Sequence, residues 1–235
     1  MTEENLSEKY FGESSDTVAD FFNAFIYEGE SVINPKDLEP IDTVEHFTYG
    51  DVVNYDLNGN MIFSIIAIKD RIDNEGVMKS LYARIAEHNG TYYGEQVNSF
   101  ISNPIPVITF VVYFGTKEWN PETDFYKYFG ISKEEAKFID EIKLNFVPMA
   151  FLTDEQIARL HGDFKHVALS LRGIRENKLY VPKPSEIHHL NGFVYLMKNL
   201  ADDVNYMQQL KKSLEEKSRS GNSGKRPDDA KRTTR

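Results

Sequence analysis

Three residues on one predicted hairpin could do chemistry together. Asp51 stands early on a strand that starts at Gly50, and Lys69 and Arg71 end the returning strand. Side chains alternate across a strand, so Lys69 and Arg71 share a face while Asp70 points to the other. One carboxylate beside two cations favours an ion pair from Asp51 to Lys69 or Arg71, with the cation filling the space a metal would take. A divalent-metal nuclease instead needs two or more carboxylates on the ion and a lysine or similar group to place water. Asp70, Asp73 and Glu75 are the only nearby acids that could complete such a set with Asp51. Their position assigns them first to capping and solvating the helix that follows. The candidate catalytic residues are therefore Asp51, Lys69 and Arg71, and the candidate metal ligands Asp51, Asp70 and Glu75.

Other chemistries find little support. The chain has no cysteine, which removes disulfides, thiolate nucleophiles and Cys-based zinc sites. His188 and His189 are adjacent and splay apart; His161 and His166 are five apart, and no H-E-x-x-H motif forms. His46 and His88 stand alone, so surface or packing roles are expected for all six histidines. Neither a G-x-G-x-x-G loop nor a Walker sequence is present to cradle phosphate, and no G-x-S-x-G elbow marks a hydrolase. The single Trp119 is expected to anchor a loop.

The elements that must position the hairpin can be read from periodicity. Val18, Phe21, Phe22, Phe25 and Ile26 predict a helix over Thr17–Tyr27, capped by Asp16 and ended by Glu28–Gly29. Asn34 to Pro40 reads as a turn or short extended passage, and His46 to Tyr55 as a strand. Asn58–Gly59 is a strong hairpin signal, because both central positions of a type I′ turn need positive φ. Met61 to Ile68 returns as a nearly all-apolar strand, expected to be central and covered on both faces. A helix follows over about Glu75 to Val97, with Gly90 and Gly94 as candidate interruptions. Ile105 to Phe114 is the clearest buried strand.

Farther on, Ser132 and Glu135 suggest a capping box. Lys143 to Met149 reads as an edge strand because Pro148 cannot donate to a ladder. Thr153–Gln156 caps a broken helix to about Leu171, and one last helix is expected from Ser185 or Ile187 to Leu214. The order hairpin, helix, buried strand argues for an α/β fold with a mixed sheet under helical cover.

The 235 residues, 40% hydrophobic and 13% aromatic, can build a substantial core. Residues 217–235 carry a net charge of about +5, which leaves about −15 on the rest of a chain whose total is −10. So acidic a body is a poor match for broad contact with phosphate backbones. No apolar run approaches the ~18 residues that span a bilayer, and Met1–Thr2–Glu3–Glu4–Asn5 does not resemble a secretory signal. Cytoplasmic location without membrane contact is the expectation.

The combination resembles the PD-(D/E)XK nuclease-like transposase family, which includes recombination-promoting nucleases. The matching passages are Val18–Gly29, Val32–Leu38, Gly50–Asp51–Val52–Val53 and Ile65–Ile66–Ala67–Ile68–Lys69–Asp70–Arg71. The most specific is Ile105 to Trp119, an apolar strand running into Tyr113-x-Gly115-x-x-x-Trp119. The resemblance covers residues 15–150 and continues more weakly through Leu171–Arg175.

It implies a restriction-endonuclease-like mixed central sheet flanked by helices, with a helical C-terminal region. The expected divisions are a polar segment over 1–15, a nuclease-like core over 16–150, a helical region over 151–216 and a basic disordered tail over 217–235. In active members the positions matching Asp51, Lys69 and Arg71 carry Asp, Glu and Gln or Lys, bind Mg²⁺ and support hydrolysis of DNA. Here Asp51 is kept, Lys69 replaces the acid, Arg71 replaces the amide or lysine, and Gly50 stands where an Arg is usual. The expectation is an inactive or impaired nuclease fold used for binding or regulation, with no cofactor. The alternative is a Mg²⁺-dependent DNA endonuclease with a rearranged metal site. The partner is left open between protein and DNA, and the oligomeric state is not specified.

Overall fold

A computed structural model of the chain describes residues 14–41, 46–47, 50–69, 75–98, 103–201 and 203–222; the side chains of 46–47, 50–53, 75–80 and 216–222 are not included. Helix α1 (Ser15–Ile26) forms because Val18, Phe21 and Phe22 recur at helical spacing, and all three are buried. Positive φ at Glu28 (56°) and Gly29 (92°) ends the turn that follows, where the Gly29 N–H returns to the Asn23 carbonyl. The buried Asn23 side chain then holds the next segment, donating to the Ile33 carbonyl and accepting from the N–H groups of Val32 and Ile33.

Six strands build one mixed sheet: β1 (Leu38–Ile41), β2 (His46–Phe47), β3 (Gly50–Leu57), β4 (Ile62–Ile68), β5 (Val107–Tyr113) and β6 (Asn145–Pro148). The order is β1-β3-β4-β5-β6, with β2 also on β3. Pairing is antiparallel from β1 to β4 and parallel from β4 to β6. The β3–β4 turn has φ of 47° at Asn58 and 68° at Gly59, the left-handed pair that a type I′ hairpin needs. Strand β4 is central and its residues are almost all buried, as its apolar run predicts.

Helix α2 (Glu75–Asn98) crosses from β4 to β5. Contrary to the expected interruption, it runs unbroken through Gly90 and Gly94. Both are exposed with open space around them, so each costs only about 1 kcal/mol of helix propensity. Short helix α3 (Phe125–Phe129) packs Phe125 beside Tyr82 of α2. The Ser132–Glu135 capping box forms in both directions, at 2.9 and 3.2 Å.

The C-terminal half adds α4 (Asp154–Ala158), α5 (Asp163–Arg175), α6 (Leu190–Leu200) and α7 (Val204–Asn222). The single last helix expected from Ser185 or Ile187 to Leu214 is instead two. The Asp163 carboxylate binds the N–H groups of His188 and His189 at 2.9 and 2.8 Å, so α6 starts only at Leu190. Asp203 then starts α7 by accepting from the Tyr206 N–H at 2.8 Å.

Helices cover both faces of the sheet. On one face Phe22 stacks on Phe63 at 4.3 Å, and Phe164, Leu171, Phe193 and Tyr206 complete a core that also contains Phe21 and Phe110. On the other face Tyr82 and Ile85 of α2 pack with Ile66, Ile68, Val111, Tyr113 and Trp119.

Candidate functional site at the ends of β3 and β4

Asp51 is the second residue of β3, and the register pairs it with Ala67 on β4 and with His46 on β2. Lys69 stands two residues beyond Ala67, directly after β4, and is half-buried. Positions well separated in sequence are thus brought to one strand end by the hairpin. Glu75 opens α2. Asp70 and Arg71, and the side chains of Asp51 and Glu75, lie outside the described residues, as does the expected ion pair from Asp51 to Lys69 or Arg71.

Deeper under α2 the same strands carry a polar row that periodicity did not single out. Asn54, Ser64 and Thr109 are successive register partners on β3, β4 and β5, and all are buried. Nε2 of His88 lies 2.9 Å from Ser64 Oγ and 3.1 Å from Asn54 Oδ1. Beside it, Thr109 Oγ1 donates to Asn89 Oδ1 at 2.8 Å. Serine, histidine and asparagine are types that can serve nucleophilic catalysis, but Ser64 is 0% and His88 2% exposed, so no substrate reaches them. Their role is to lock α2 onto the sheet by bonds that water cannot replace. Among the described residues Nδ2 of Asn54 has no partner, a local cost of about 1–3 kcal/mol for a buried donor. Only the strand register could have revealed this row.

The motif Tyr113-x-Gly115-x-x-x-Trp119 is a packing bracket. The Tyr113 ring lies where a Cβ on Gly115 would begin, so only glycine fits there. The Tyr113 hydroxyl donates to the Lys117 carbonyl at 2.9 Å, and Trp119 meets the ring edge-on at 5.0 Å. Trp119 is buried, the loop anchor expected of it.

Two histidines of the C-terminal half, His161 and His189, meet carboxylates of α1. His189 Nε2 lies 2.7 Å from Asp16 Oδ1. Burial pushes the Asp16 carboxyl up, but the hydrogen bond and charge of His189 outweigh it and hold the group below its usual range. Asp16 therefore sits in the first turn bound to a distant histidine, and Ser14 takes the N-cap position. One turn on, the Asp20 carboxylate accepts from the N–H groups of His161 and Gly162 at 3.0 and 2.8 Å. His166 Nδ1 lies 2.8 Å from the Tyr180 hydroxyl. Among the described residues, no three His, Asp or Glu side chains converge in a way that could hold a metal ion.

Set beside family models, curated proteins and solved structures, the chain matches none of them.

Proposed function

We propose that this chain is a nuclease-fold protein of the PD-(D/E)XK transposase-like type whose hydrolytic centre has been lost, and that it works by binding or regulation. The observation that carries the reading is the strand end. β3 begins with Gly50 and Asp51, and its hydrogen-bonded neighbour β4 runs directly into Lys69, where the resemblance expects an acid. Support for the fold comes from the order of hairpin, crossover helix α2 and parallel strand β5 in a mixed sheet covered on both faces.

A divalent cation is a poor match to this donor set. At 4 Å each unit of like charge costs about 4 kcal/mol at an effective dielectric of about 20, so an ammonium at the second ligand position repels Mg²⁺ strongly. Hydrolysis through a metal then lacks the carboxylate pair it requires.

The test is incubation of the purified chain with linear and supercoiled DNA in Mg²⁺ or Mn²⁺. No cleavage beyond that of Asp51→Ala is expected. Lys69→Glu should gain Mn²⁺ binding by calorimetry that the parent lacks. Cleavage by the parent that disappears in Asp51→Ala and in Asp70→Asn or Glu75→Gln would instead establish the rearranged-metal endonuclease.

A further inference from the structure

We propose that the N-terminal half of the β5 edge is a docking site for an extended peptide segment of another protein, one that alternates apolar and basic side chains. Strand β5 begins at Val107, but β6 pairs with it only from Phe110 onward, through Phe110↔Asn145. Val107, Ile108 and Thr109 thus have no strand partner on that side among the described residues. A cleft of about 770 Å³ opens beside them. Phe25 and Ile26 at the end of α1, with Ile108 and Phe110, give it an apolar wall.

Two side chains stand in for the missing strand. The Tyr93 hydroxyl accepts from the Val107 N–H at 3.2 Å, and the Asn145 amide donates to the Thr109 carbonyl at 2.8 Å. Tyr93 is 41% exposed, so it can leave as an incoming strand arrives. By strand alternation the Val107 carbonyl and the Thr109 N–H share the same edge. Adding a strand there offers main-chain bonds for affinity and a pocketed wall for alternate side chains.

Charge selects the occupant. Asp140 and Glu141 line the cleft and are exposed, against one cation, Lys143. Immediately before them Phe138 is 89% and Ile139 40% exposed, an apolar step beside the acidic rim. A body of about −15 adds to the attraction for a basic segment.

The site does not rest on the nuclease reading. Val107 is paired with Ile62 and Tyr113 with Ile68, so the cleft lies at the opposite end of the strands from Lys69, about 20 Å away at ~3.3 Å per residue.

The experiment selects a phage-displayed library of random ten-residue peptides on the immobilised full chain, then measures the winners as free labelled peptides by fluorescence anisotropy. Winners alternating apolar residues with Lys or Arg are expected. Their affinity should fall at least tenfold in the doubly substituted Asp140→Lys, Glu141→Lys chain, whose changes are on exposed residues. Amide exchange at Val107–Thr109 should slow when peptide binds. The proposal is overturned by failure to enrich any sequence, or by binding indifferent to the double substitution. It is equally overturned if the chain alone forms a dimer, by light scattering, that the double substitution dissociates, because the occupant is then a second copy.

Discussion

His166 sits between opposing influences. Burial lowers its pKa below the usual 6.5, the carboxylates of Glu186 and Asp163 pull it up, and Lys165 and His188 push it down. The Tyr180 hydroxyl lies 2.8 Å from Nδ1 and can pair with the neutral ring as donor or acceptor, while burial disfavours the charged one. As pH falls, the unfolded chain takes up the proton first. The contribution of this residue is therefore complete above about pH 6.5 and is lost as pH drops through and below that value. Urea unfolding from pH 7 to pH 5.5 should show falling stability in the parent. In His166→Gln that component of the slope should vanish. None of this was legible in the sequence, where His166 stood five residues from His161 and fourteen from Tyr180; the pair exists only because α5 turns the ring toward the chain that returns after it. Trp119, by contrast, was readable, because its partners Tyr113 and Gly115 lie within one short motif.

Elements closed by their own neighbours were the legible ones. Asn58–Gly59, the Ser132–Glu135 box and the Thr153–Gln156 box each satisfy backbone groups within three residues, and all three form. Helix starts set from a distance were not. α5 begins after a break where Asp20 binds the N–H groups of His161 and Gly162, and α6 begins after the N–H groups that Asp163 takes. Asp163 is itself buried, with one oxygen on each of two backbone donors. Asp163→Ala is expected to cost about 2–5 kcal/mol, since it removes two charge-assisted bonds and strands their donors. Asp163→Asn keeps one acceptor and should cost less. The denaturation midpoint in urea checks both. The polar row of Asn54, Ser64 and Thr109 escaped notice for a related reason: residues 45 positions apart in part of that row meet only through strand register.

At the scale of the whole molecule, one core spans the point near residue 150 where the resemblance implied a division. Phe21 and Phe22 of α1 and Phe63 of β4 share it with Phe164, Leu171, Phe193 and Tyr206. Ending the chain at residue 150 would uncover the apolar face of α1 and the sheet beneath it. Each large side chain exposed forfeits about 1.5–3 kcal/mol, so a handful is comparable to the whole stability of a typical domain, about 5–15 kcal/mol. The shortened chain should be insoluble or lack a cooperative unfolding transition, and scanning calorimetry of any soluble fraction decides it. A sharp transition near that of the full chain would show that the first 150 residues fold alone. The candidate strand end and the β5 cleft both belong to this shared frame, although only the first had a sequence motif. The cleft arises because β6 is shorter than β5, a difference in strand length that no local pattern announces.

The bond from Asp20 to the His161 N–H joins groups 141 residues apart, and that from His189 to Asp16 joins groups 173 apart. On a ribosome adding about 5–20 residues per second, the first of these partners arrives roughly 7–28 s after Asp20 emerges. Throughout that interval Phe21 and Phe22 have been made but lack the part of their cover that comes from Phe164 and the residues after it. Helix α1 is therefore made well before the partners that complete its packing, and its aromatic face is where a nascent-chain chaperone would be needed.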